Sequence, residues 1–175
     1  MPTIGVAVAI PEPWASELQD YRTAVGDTTA AMIPTHITLV PPTEIDDMIV
    51  ADVEKHLEEV AAEIASYCVH LRGTGTFRPV SPVVFVTLVE GISQCEQLAA
   101  DVRRGPLAMD LAFPFHPHVT IAHHLGDPEL DRAFDELSAF ECTFPVTDFH
   151  LYVHDDEVGW QPDVSFALQS APAVT

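Results

Sequence analysis

The sequence predicts an α/β chain built as two copies of one lobe, facing each other about a pseudo-twofold axis. Three observations lead there. Apolar, strand-like runs alternate with helical stretches along the chain. A His-x-Thr triplet inside an apolar strand occurs twice, as His36-Ile37-Thr38 and His118-Val119-Thr120, 82 positions apart in a chain of 175 residues. After each triplet the expected order is the same: helix, strand, loop, strand. That period is too long for a solenoid and suits a duplicated lobe. The whole chain, 1–175, reads as one domain of two interleaved lobes. The first motif half covers about 30–105, and the second about 110–170, completed by 1–25.

Taken in order, Thr3 to Ile10 is a buried-strand pattern stopped by Pro11 and Pro13. Trp14 to Val25 has helical spacing. Ile33 to Val40 is the first motif strand, closed by Pro41 and Pro42. Asp46 to Ala65 is the longest helix pattern, with Ile49, Val53, Leu57, Val60 and Ile64 recurring every three or four residues. Cys68 to Arg72 reads as a strand, and "RGTGTFRPVSP" as a turn-rich connection. Val83 to Val89 is another strand. Ser93, with Glu96 three residues on, has the pattern of a capping box opening a helix to Arg103. Phe113 to His123 holds the second motif strand. Asp127 opens a helix to about Ala139, with Pro128 in its first turn. Thr143 to His154 and Val164 to Gln169 close the fold.

Composition narrows the function. The formal net charge is −20, from 27 acidic and 7 basic residues. Such a surface opposes binding to long duplex nucleic acid, whose phosphates require Lys and Arg, but permits a small nucleotide or an RNA end held in a local pocket. No apolar run approaches the length of a membrane span, and the N-terminus lacks the basic region of a signal peptide, so a cytoplasmic protein, monomeric by default, is expected. Cys68, Cys95 and Cys142 are far apart, odd in number and without CxxC spacing. They read as small buried thiols and not as a disulfide framework or zinc site. No HExxH pattern or carboxylate cluster supports a metal, although His118, His123 and His124 are imidazoles close in sequence. Neither a metal nor another cofactor is expected.

The two triplets carry the chemistry. Residues two apart on a strand share a face. His36 and Thr38 therefore point one way and Ile37 and Leu39 the other, and the same holds for His118 and Thr120 against Val119 and Ile121. If the lobes face each other, two imidazoles and two hydroxyls converge on one cleft. One neutral imidazole can take a proton from an attacking hydroxyl, and one protonated imidazole can give a proton to a leaving oxygen. Threonine hydroxyls can donate to non-bridging phosphate oxygens.

The segments "HITLV" at 36–40 and "HVTIA" at 118–122, with Pro41-Pro42, "GTFRPVSPVVFV" and "FHPHVTIAH", resemble the 2H phosphoesterase superfamily, nearest its bacterial 2′-5′ RNA ligase-like branch. The resemblance covers nearly the whole chain. It implies a bilobal fold with two mainly antiparallel sheets lining a groove and helices outside. It also implies metal-free hydrolysis of cyclic phosphodiesters at nucleotide or RNA ends, or reversible 2′-5′ ligation, with His36, Thr38, His118 and Thr120 as the catalytic tetrad. Some members carry an arginine shortly after the second motif, where this chain has His123 and His124. Without turnover, the same fold would be a nucleotide or RNA-end binding module. Around the tetrad, Phe77 is a loop aromatic placed to stack on a base, and Arg78 a candidate phosphate contact. His116 and His124 share the parity of His118, and Tyr152 and Trp160 are candidates for the groove's border. Phe113 and Phe115 read as core.

Overall fold

The computed structural model describes residues 1–170. Twelve elements follow in chain order: β1 (Thr3–Ala9), α1 (Trp14–Val25), β2 (His36–Glu44), α2 (Val50–Glu63), β3 (Tyr67–Thr76), β4 (Val83–Glu90), α3 (Ile92–Val102), β5 (His118–His123), α4 (Asp127–Glu136), β6 (Glu141–Val146), β7 (Asp148–Asp155) and β8 (Gly159–Ala167). They form two four-stranded sheets, β2-β1-β7-β8 and β5-β4-β3-β6. All neighbouring strands run antiparallel. Each motif strand is an edge strand of its own sheet, and β2 and β5 touch along those edges. The α+β class and the two antiparallel sheets match expectation.

The sheets cut across a division at 30–105 and 110–170. β3 and β4 lie in the sheet of the second motif, whereas β1 and β2 share a sheet with β7 and β8. The cause is α2, which packs on α3 and β8 and carries the chain from the first sheet to the second. The single strand expected over Thr143 to His154 is two strands, one in each sheet, parted only by Thr147.

Three further differences have local causes. β2 runs through Pro41 and Pro42 to Glu44, with Ile4 opposite Thr43 and Thr3 opposite Glu44. An edge strand tolerates prolines because its outer amides have no ladder partner to lose. β3 continues to Thr76, through residues expected to be a turn. Gly73, at φ +74°, sits where the register with β4 shifts between Leu71 and Thr74, so the glycine marks a bulge inside a strand and not its end. α3 starts at Ile92 behind Gly91, and Ser93 makes no capping bond.

The helices bury the stripes that their spacing predicts. In α2 the buried residues are Val53, Leu57, Val60 and Ala61. In α1 they are Leu18, Arg22 and Val25, with a charge in the middle of the stripe. One continuous core joins both sheets to all four helices. Cys95 and Cys142 are buried in it, but Cys68 is exposed. Among the described residues no helix is long and apolar enough to cross a membrane.

The turn before β8 is locked against the approach to β2. Gly159 has φ +83°, and a Cβ there would overlap the backbone and side chain of Met32. Gly159→Ala is therefore expected to lose about 2 kcal/mol or more in urea denaturation, since both the dihedral and the contact are refused. A loss below about 0.5 kcal/mol would show that the turn is not packed this tightly.

Candidate active site

β2 and β5 present the same pattern. His36 and Thr38 are half-buried between fully buried Ile37 and Leu39, and His118 and Thr120 between Val119 and Ile121. Each histidine is anchored identically: Nδ1 lies 2.6 Å from the Pro34 carbonyl oxygen for His36, and 2.6 Å from the His116 carbonyl oxygen for His118. A carbonyl can only accept, so Nδ1 carries the proton and donates. The Nε2 lone pair of each ring is left free to act as a base.

Burial lowers the pKa of His36 below the usual 6.5. The Arg22 cation adds to the fall, and the bond to Pro34 opposes it. His118 is lowered first by burial and then by the neighbouring His116 and His36 imidazoles, against the bond to the His116 carbonyl. The His36 imidazole is close enough to act on His118, and the cavities that the two rings line meet at Thr38. The Thr38 and Thr120 side chains line this cleft, and no protein partner engages either hydroxyl among the described residues.

Two cavities meet at Thr38. The smaller, about 180 Å³, is lined by His36, Tyr152, Trp160, Gly5 and Ala7 among others. Its room comes from β1, where Ala9 stands opposite His36 and Ala7 opposite Thr38. The larger, about 700 Å³, holds His118, Thr120, His116, Phe77 and Arg103. On that side β4 sets Phe85 opposite Thr120. The Phe77 ring packs on Phe85 at 4.5 Å and meets His118 edge-on at 4.9 Å. Gly75 permits this, because a Cβ there would lie 2.7 Å from the Phe85 ring.

Of the peripheral candidates, Phe77, His116 and Tyr152 lie at the cleft, as does Trp160. Burial, with a contribution from Asp148, pushes the Tyr152 phenol up to about 12, so it stays a neutral donor. Arg78 does not reach the cleft. Its guanidinium is held by Asp131 at 2.8 Å and Asp127 at 3.5 Å, both on α4. His124 does not reach it either. It follows the end of β5 with φ +55°, which breaks the alternation that parity assumes, and its ring packs on His123 at 4.9 Å. Phe113 is 67% exposed at the rim of the larger cavity and is not core. Among the described residues no group of three or more His, Cys, Asp or Glu is placed to hold a metal ion.

A buried brace behind the cleft was not anticipated. Arg22 donates from Nη1 to the Ile33 carbonyl at 2.6 Å, one residue before the carbonyl that anchors His36. Its Nη2 lies 3.6 Å from Asp27 Oδ2, and His123 Nε2, at the end of β5, lies 3.3 Å from the same oxygen. Burial alone would raise the Asp27 pKa. Two hydrogen bonds from Thr29, together with the His123 and Arg22 charges, outweigh it and hold the carboxyl low. The brace thus ties the approach to one motif strand to the end of the other. Its trace in the sequence is Arg22 on the buried Leu18–Val25 stripe of α1.

The sequence profile of the 2′-5′ RNA ligase superfamily matches residues 10–157. A Geobacillus sp. (strain WCH70) protein, named provisionally as a phosphoesterase, is 30% identical over 151 residues, covering 83% of this chain and 87% of the relative. A Bacillus licheniformis protein of the same provisional name is 28% identical over 144 residues, covering 81% and 85%. Among solved structures, E. coli LigT superposes with a TM-score of 0.67 at 20% identity, covering 96% of this chain and 99% of LigT. The Thermus thermophilus protein TT0787 gives 0.68 at 22% identity, covering 96% and 98%. These two show a shared fold. E. coli LigT has been crystallised with NADP+, 3′-AMP and ATP. The chain belongs to the 2′-5′ RNA ligase superfamily, the 2H phosphoesterases. Family and fold are together those of a 2′-5′ RNA ligase-like phosphoesterase.

Arg22 and Asp27 are almost fully shielded from water, at 4% and 5% side-chain exposure. Asp27→Asn, which strands the arginine charge, is expected to lose about 3 kcal/mol in urea denaturation at pH 7. The double variant Arg22→Met/Asp27→Leu should lose less than the two single losses added together. Additive losses would show that the two groups do not act as a pair.

Proposed function

We propose that this protein hydrolyses a small cyclic phosphodiester, of the nucleoside 2′,3′-cyclic phosphate or RNA-end type, without a metal, by paired general base and general acid histidines. The observation that carries this is the matched anchoring of His36 and His118, each with Nδ1 tied down and Nε2 free, beside cavities that meet at Thr38. In the reaction the neutral imidazole takes a proton from water as the water oxygen bonds to phosphorus. The opposed imidazolium gives its proton to the departing ribose oxygen as the P–O bond breaks. The cycle closes when the two rings exchange protons with solvent. Thr38 and Thr120 donate to the non-bridging oxygens, on which negative charge accumulates. In the same forward step, a ribose 5′-hydroxyl in place of water would attack the cyclic phosphate, the P–O3′ bond would break with its oxygen protonated by the imidazolium, and a 2′-5′ linkage would form.

A small substrate fits the charge of −20, which repels long polyanions but leaves a partly apolar cleft open to a single nucleotide. That E. coli LigT was crystallised with nucleotides is consistent with such a ligand. Three free thiols, two of them buried, suit action in the reducing cytoplasm.

The test is turnover of a panel of cyclic phosphodiesters with and without EDTA. Activity should survive EDTA and fall by roughly 10²–10⁴-fold in His36→Ala and in His118→Ala. Tight binding without turnover of any substrate would instead make the chain a binding module, and activity lost to EDTA would make it a metalloenzyme.

The pH profile follows from the anchoring. A cycle that needs one neutral and one protonated imidazole is fastest between their two pKa values. Both are held below 6.5 in the free protein. The kcat/KM maximum is therefore expected on the acid side of pH 6.5. A bound phosphodiester anion favours the protonated ring, so the kcat maximum should lie at higher pH than that of kcat/KM. A kcat/KM maximum well above pH 7 would contradict this.

A further inference from the structure

The protein has 7 basic residues against 27 acidic ones, and most of the basic side chains are neutralised. Lys55, Arg22, Arg78, Arg104 and Arg132 each pair with a carboxylate. Arg72 is exposed on β3 and lines neither cavity of the cleft. Arg103 is different. It stands at the C-terminal end of α3 and lines the larger cavity together with His118 and Thr120. No carboxylate of the described residues pairs with it. Its Nη1 is shut off from solvent and meets no hydrogen-bond acceptor of the protein. The guanidinium carbon lies 4.9 Å from the centre of the Phe115 ring, a cation–π contact that restrains the group.

Arg103 as a whole is half-buried at the cavity wall, and a guanidinium there without a carboxylate partner keeps its charge for an anionic ligand. Its planar fork matches a phosphate. Arg103 belongs to neither motif strand. It sits on the wall made by the 111–115 segment, where Leu39 and Pro41 of β2 also border the cavity. A volume of about 700 Å³ leaves room for more than the reacting diester. Resting on the phosphoesterase reading of the cleft, we propose that Arg103 takes a second phosphate group, carried by the same nucleotide beside the diester held between His36 and His118. The preferred substrate is then a cyclic phosphodiester that bears a further phosphomonoester, such as a 5′-phosphorylated nucleoside 2′,3′-cyclic phosphate.

Calorimetric titration tests this without requiring turnover. Adenosine 2′- and 3′-monophosphates are compared with the 2′,5′- and 3′,5′-bisphosphates on the full chain, on Arg103→Gln and on Arg103→Lys. The wild type should bind at least one bisphosphate roughly tenfold or more tightly than the matching monophosphate. Arg103→Gln should remove that preference while moving monophosphate affinity by less than about threefold, and Arg103→Lys should keep part of it. Equal weakening on both ligand classes, no weakening, no wild-type preference, or no binding of any ligand would each overturn the proposal. Turnover of a cyclic phosphate with no bisphosphate preference defeats only the Arg103 assignment. A preference that Arg103→Gln abolishes, in a protein that turns over no cyclic phosphodiester, defeats only the hydrolytic reading.

Discussion

Two hydrogen bonds of 2.6 Å, each from a histidine Nδ1 to the carbonyl two residues earlier, set what the cleft can do. The second residue before each histidine lies outside the strand, so its carbonyl is not committed to a sheet ladder. Prolines sit there in both copies, Pro34 itself on one side and Pro117 within "HPH" on the other. They hold the backbone extended and donate nothing of their own. The bond fixes the tautomer, the tautomer frees Nε2, and burial lowers the pKa of each ring, favouring its neutral form. The same short device appears in both sheets, so the two halves of the site are chemically alike.

What surrounds them is not alike. Small residues on β1 leave a narrow apolar slot beside His36. Phe85 on β4 and Phe77 above it pack against His118 and push the open space outward, toward Arg103 and the 111–115 segment. Charge is distributed just as unevenly. Arg22 lies beneath the first motif and is spent on Asp27, while Arg103 borders the second and is uncommitted. On the proposed reading, two alike imidazoles set in unlike walls would give a substrate one favoured direction in which to lie.

Much of this was legible in the sequence because it is local. Parity along a strand placed His36 with Thr38 and His118 with Thr120, and helical spacing gave α1 to the residue. What was illegible depends on partners distant in sequence. Arg78 looked like a phosphate contact until α4 supplied two aspartates. His124 had the right parity until a left-handed backbone angle cancelled it. Arg103 carries no local mark; only its lack of a carboxylate neighbour, a fact about three-dimensional surroundings, sets it apart. The extension of β3 past Gly73 was hidden for a different reason, since a glycine at a bulge and a glycine at a turn read the same until the register is known.

Thr147 alone separates β6 from β7, yet those strands belong to different sheets. A one-residue joint leaves almost no slack. With α1 lying on β5 and the Asp27 carboxylate bridging Arg22 and His123, the two sheets are tied together at a second place. These ties hold the edges of β2 and β5 against each other from behind the cleft. On the proposed reading, a ligand phosphate has to fit the spacing that these ties set between the two motif strands.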